Sequence, residues 1–142
     1  MLRFARAGLL LILGAVAGAS FGCGSQGGVS TNADSQDIFH QNMLSEVGEI
    51  LVIRKSDTNA PPKSLADLTR YQSGWPAGYT ALKEGGVVVA WGESVQEGAS
   101  DKILAYQKEA AESGGYVLMQ DGRTVKKMTA DEFKSAKKAG KD

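Results

Sequence analysis

KILAYQKEAAESGGYVLMQDGRTVKKM, residues 102–128, holds three short runs rich in Ile, Val, Leu and Tyr, set apart by glycine-bearing turns. Runs of this length and composition suit a pleated, half-buried surface and predict strands. Asp121-Gly122, between GYVLMQ and RTVKKM, is a strong short hairpin signal, because a type I′ turn needs positive φ at both central residues. Upstream, GYTAL (78–82) and GVVVAWG (86–92) read as two more strands, with KEGG (83–86) as a tight hairpin between them. The segments 92–101 and 110–115 are left as longer loops. Together these runs predict an antiparallel meander of four to five strands.

A meander with one apolar face needs a partner, and the residues before it supply one. Met43, Leu44, Val47, Ile50, Leu51 and Arg54 recur at three- and four-residue spacing, the pattern of one buried helical face. The helix is expected to begin near Asp37, capped by Asp34 or Ser35, with Arg54 and Lys55 complementing its C-terminal dipole. Gly48 costs up to about 1 kcal/mol relative to alanine inside a helix, so it marks a close contact with the sheet. SDTNAPPK (56–63) ends the helix, since neither proline continues it. Ser64 with Asp67 opens a second short helix over LADLTRY (65–71). Thr129 with Glu132 opens a last one over ADEFKSAKK (130–138), packing Phe133. The fold class predicted is α+β, an N-terminal amphipathic helix on an antiparallel meander, with the domain spanning 37–142.

The first 22 residues differ in character. A short basic start, Arg3 and Arg6, leads into AGLLLILGAVAGA (7–19), an uncharged run laid out as a secretory signal peptide. A spanning helix needs about 20 predominantly apolar residues, more than this run holds unless Ser20 and the glycines after it are counted. GASFGCG (18–24) then places small residues before Cys23 and resembles the lipobox of bacterial lipoproteins. That resemblance implies acylation of the Cys23 thiol, cleavage before it, and attachment to the membrane through the lipid. Ser20 stands where those proteins usually carry Leu, and Ala17-Gly18-Ala19 offers an ordinary signal-peptidase site as an alternative, so plain secretion and an uncleaved anchor stay open. Gly24 after the cysteine, in place of Asp, implies the outer membrane. GSQGGVSTNADSQ (24–36) lacks the apolar residues to offset its ordering entropy and reads with Cys23 as a lipidated flexible tether, 23–36, whose thirteen residues after the cysteine have a root-mean-square span of about 20 Å.

A second resemblance lies at the other end. ILAYQKEAAESGGYVLMQDGRTVKKMTADEF (103–133) resembles the C-terminal tail of a large bacterial family of prepilin-like proteins of unknown function, where a strand ILAYE leads to VLFADGHV and then LTxEEF. That tail is named for a His, nine residues and Asp-Gly; here the tenth position before Asp121 is Ala111. The order of long helix, proline-containing loop and antiparallel sheet resembles a pilin or pseudopilin head. A lipobox stands where a prepilin has its cleavage site, so filament assembly is not carried over.

Chemistry is harder to find. The 142 residues carry 16 basic and 16 acidic side chains, one cysteine and one histidine. Balanced charge removes the phosphate-neutralising excess on which nucleic-acid binding depends. One Cys with one His cannot build a usual zinc site, and neither a metal nor a cofactor is expected. His40 has no Ser, Cys or carboxylate partner at a readable spacing and reads as a solvated helix residue. Glu46 and Glu49 share a helical side, as a glycosidase or metal pair might, but a solvated face is the simpler account. Asp121 is explained by its turn. The aromatic residues Tyr71, Trp75, Tyr79 and Trp91 are candidates for partner or ligand contact, weighed against packing in a small core. The expectation is a non-enzymatic, lipid-anchored envelope protein contacting another envelope protein or a cell-wall polymer. The alternatives are a pseudopilin-like minor component of a secretion or surface assembly, and a secreted domain binding a ligand at the aromatic loop.

Overall fold

The computed structural model describes residues 32–140. The segment expected to be a signal peptide, Cys23 and the tether as far as residue 31 lie outside the described residues. The fold is α+β: helices on both faces of a five-stranded sheet.

α1 (Asn32–Thr58) is the principal helix, and Met43, Leu44, Val47, Ile50 and Leu51 are all buried, as their spacing requires. It begins at Asn32, so 32–36, read from sequence as the end of a flexible tether, are helical. Asn59 ends it in the left-handed region at φ 51°, its amide donating to the Lys55 carbonyl at 2.8 Å. The short second helix expected over 65–71 follows, as a 3-10 helix (Leu65–Tyr71), and the Asp67 carboxylate accepts the Lys63 and Ser64 amides at its start. α2 (Pro76–Lys83) covers GYTAL, correcting the strand assignment. Pro76 is pre-set for the first helical turn, and Tyr79, Ala81 and Leu82 face the core. KEGG therefore links a helix to a strand and is no hairpin.

β1 (Val87–Val89), β2 (Lys102–Gln107), β3 (Gly115–Met119) and β4 (Val125–Met128) form an antiparallel meander in that order. α3 (Ala110–Ser113) is a single turn between β2 and β3. α4 (Ala130–Ser135) starts at the Thr129–Glu132 capping box, where the Glu132 carboxylate accepts the Thr129 amide at 2.7 Å. It ends sooner than expected, because Lys137 and Lys138 form β5 (Lys137–Lys138), which pairs parallel to β2. The chain connects β3 to β4 at Asp121-Gly122, but the turn is not type I′. Only Gly122 has positive φ (71°), and the Asp121 carboxylate closes the turn by accepting the Arg123 and Thr124 amides and the Thr124 hydroxyl.

Gly48 is the point where α1 touches the sheet most closely. A Cβ there would overlap the Gly122 carbonyl and come 3.2 Å from Leu118 Cδ1. The core on this side joins α1, the 3-10 helix and α2 to Val87, Val89, Leu104 and Leu118. On the opposite face Ile103, Val117 and Met119 pack with Ala110 and Phe133, and the Tyr106 and Phe133 rings lie 4.8 Å apart at 57°.

Candidate functional site

The candidate aromatic residues separate into two environments. Tyr71, Trp75 and Tyr79 follow one another at four-residue spacing, linked by Trp75 N–H to Tyr71 C=O and Tyr79 N–H to Trp75 C=O. Tyr71 and Tyr79 are buried and Trp75 is half-buried against the same core. The two tyrosine hydroxyls are engaged internally. The Tyr71 hydroxyl donates to Asp57 Oδ2 at 2.8 Å, the Arg70 guanidinium bonds the same oxygen and covers the Tyr71 ring, and the Tyr79 hydroxyl meets the Thr69 hydroxyl at 3.3 Å. Burial, with the Asp57 carboxylate, raises the Tyr71 pKa. These three residues are packing. Trp91 alone is exposed, at 40%.

Glu46 and Glu49 do not act as a pair. Glu46 Oε2 accepts the Gly78 amide at 2.8 Å, serving as a cap on α2, while Glu49 faces solvent. Asp121 is held below its ordinary pKa: burial raises it, but the bonds from the Thr124 side chain and the Thr124 and Arg123 amides outweigh that.

His40 lines a groove of about 560 Å³ between the start of α1 and the β3–β4 edge, with Asp37, Glu109, Ser113, Tyr116 and Lys127. Sequence reasoning reads it as solvated because its neighbours there beyond Asp37 come from β2, α3, β3, β4 and α4, none of them near it in sequence. The groove's polar groups are largely matched to one another. Lys127 Nζ bonds Asp37 Oδ2 at 2.6 Å above the Tyr116 ring, and this bond raises the Lys127 pKa. The Ser113 hydroxyl donates to the Glu109 carbonyl at 3.3 Å, not to His40, so no activated nucleophile is assembled.

The second groove, about 300 Å³, lies beside α4 and the β5 end of the sheet. Trp91, Glu93, Tyr106 and Lys138 line it with Val88. Lys138 Nζ donates to the Phe133 and Ala136 carbonyls and sits 4.4 Å from the Phe133 ring centre, which pins the chain end across the groove. Sequence reasoning named Trp91 but missed Glu93, two residues along the same connection, and Lys138; the β1–β2 pairing sets Tyr106 opposite Val88, and the pairing of β5 with β2 brings Lys138 to the groove.

Among the described residues no group of three His, Cys, Asp or Glu side chains converges as a metal site, and no helix is long and apolar enough to cross a membrane. The chain matches no family profile, no curated protein and no solved structure.

Proposed function

We propose that this chain is an exported, lipid-anchored protein of the cell envelope, held through acyl chains on Cys23 at the outer membrane or periplasmic face, whose domain works by contact with an envelope protein or cell-wall polymer and not by catalysis. The observation that carries it is the position of the single cysteine, directly after the apolar run 7–19 and nine residues before α1. Each acyl CH₂ buried in a bilayer contributes about 0.8 kcal/mol, so several chains on one thiol anchor stably where one binds only marginally. The contact role is supported by the exposed Trp91 on a polar-walled groove, since aromatic side chains dominate recognition surfaces. The order of long helix and antiparallel sheet favours a second reading, a pseudopilin-like minor component of a secretion or surface assembly.

Detergent phase partitioning of the native chain against Cys23→Ala tests the anchor. The native protein is expected in the detergent phase and the variant in the aqueous phase; aqueous partitioning of both ends the lipid reading. Crosslinking in intact envelopes tests the second reading: a pseudopilin-like component yields adducts with several subunits of an assembly, and recovery of monomer alone or of a single adduct counts against it.

A further inference from the structure

We infer that the groove under Trp91 is a binding site for an uncharged sugar ring of a surface or cell-wall glycan. This names a ligand class for the contact role proposed above and rests on that reading for its biological setting, though its chemistry is independent of Cys23.

The walls of the groove select the ligand. Val88 alternates with the core-facing Val87 and Val89, which puts it on the sheet face turned away from α1, beside Tyr106. Trp91 stands over this strip from the β1–β2 connection, and its indole makes no hydrogen bond or ring contact among the described residues. The Glu93 carboxylate, half-buried in the same wall, has no hydrogen-bond or ion-pair partner among the described residues. It lies against Gly140, where a Cβ would come 2.9 Å from Glu93 Oε1, so the turn at φ 72° lets the chain end pass close to the carboxylate. Lys138 Nζ uses two of its three protons on carbonyls, and one remains for a ligand.

One anionic and one cationic group in a groove this small disfavour a charged ligand of either sign, and both oppose a purely apolar one. A pyranose fits the remaining description. Its axial C–H face is apolar and covers an indole face, and its equatorial hydroxyls donate to a carboxylate and accept from an ammonium or phenol. The 300 Å³ volume stands at the lower end of ligand-pocket sizes, room for a sugar unit and not for a folded partner.

The test uses the purified chain carrying Trp75→Phe, so that Trp91 is its only tryptophan, titrated with cellotriose, maltotriose and triacetylchitotriose while indole emission is read. At least one of the three is expected to give a saturable blue shift below about 10 mM, a millimolar or tighter affinity. Glu93→Gln is expected to weaken that binding by about tenfold, equivalent to about 1.4 kcal/mol, with circular dichroism unchanged. In protein with both tryptophans, Trp91→Ala is expected to abolish the calorimetric signal. Absence of a saturable response to all three sugars overturns the inference, as does binding that neither Glu93→Gln nor Trp91→Ala alters. Repeating the titration on Cys23→Ala protein separates the two readings: sugar binding there stands whether or not the chain is lipidated, and loss of sugar binding leaves membrane partitioning intact.

Discussion

The Glu46 carboxylate on α1 accepts the Gly78 amide at the third position of α2, 2.8 Å away, and so caps a helix in which Trp75, at the N-cap, offers no side-chain acceptor. The approach depends on glycine: a Cβ on Gly78 would sit 2.8 Å from Glu46 Cβ and from the Val47 amide nitrogen. Removing the acceptor leaves an amide without its partner at a part-buried helix start, so Glu46→Ala is expected to cost about 1–2 kcal/mol. Gly78→Ala is expected to cost about 1–3 kcal/mol by forcing α1 and α2 apart. Urea unfolding midpoints measure both; an unchanged midpoint for either removes the cap from the account.

Gly48→Ala is expected to destabilise the domain by about 1–3 kcal/mol, because the new methyl group meets the Gly122 carbonyl and Leu118. In a helix with open space around it the same change would stabilise by up to about 1 kcal/mol. The sign of the shift in thermal midpoint therefore reports whether α1 lies against the β3–β4 turn.

Arg54 continues the buried stripe of α1, and its Nε and Nη1 are buried without a hydrogen-bond partner among the described residues. Its charge lies close enough to lower the pKa of Asp67, after the larger effect of the Lys63 and Ser64 amides. Loss of that weak attraction is offset by relief of desolvated nitrogens, so Arg54→Met is expected to fall within about 1 kcal/mol of the native protein or above it. Leu44→Ala, fully buried on the same helix, is expected to cost about 2–5 kcal/mol. Calorimetric unfolding of the two variants side by side checks the contrast.

Asp67, Asp121 and Glu132 all have folded-state pKa values below their ordinary 3.8, 3.8 and 4.5. Groups depressed in the folded state contribute stability that is fully present above the ordinary values and is lost as pH falls through the lower folded ones. Acid unfolding is therefore expected to set in below about pH 4, with no matching loss between pH 5 and 8 from these groups. Thr124→Val removes the hydroxyl bond to Asp121 and is expected to move that residue's titration, followed by NMR, toward the ordinary value.

What sequence patterning exposed and what it hid follow one physical division. The α1 face, the Thr129–Glu132 box and the runs 103–107 and 115–119 are specified by neighbours a few residues away, so periodicity and capping chemistry reveal them. GYTAL misleads because Tyr and Thr favour strands weakly, whereas its helix is started by Pro76 and capped by Glu46 from thirty-two residues earlier. Asp121-Gly122 marks a turn correctly, yet the Asp121 carboxylate, by binding two amides and a hydroxyl, substitutes for the backbone geometry a type I′ turn would need. β5 carries only two lysines and exists because β2 has an open edge beyond β1. The Trp91 groove was illegible for the same reason, since Lys138, Ala139 and Gly140 of its wall come from that late strand and the turn after it.

The pairing of β5 with β2 has a consequence for how the chain comes into being. The Ala139 amide bonds the Ile103 carbonyl at 2.9 Å, and its methyl group is buried in the core that α1 also lines. The edge of β2 beyond β1 is thus closed by a segment that follows β3, β4 and α4 in the chain. A contact so distant in sequence costs more loop-closure entropy than the neighbouring strand pairs do. The meander is therefore expected to form first and the β5 contact to fasten it afterwards.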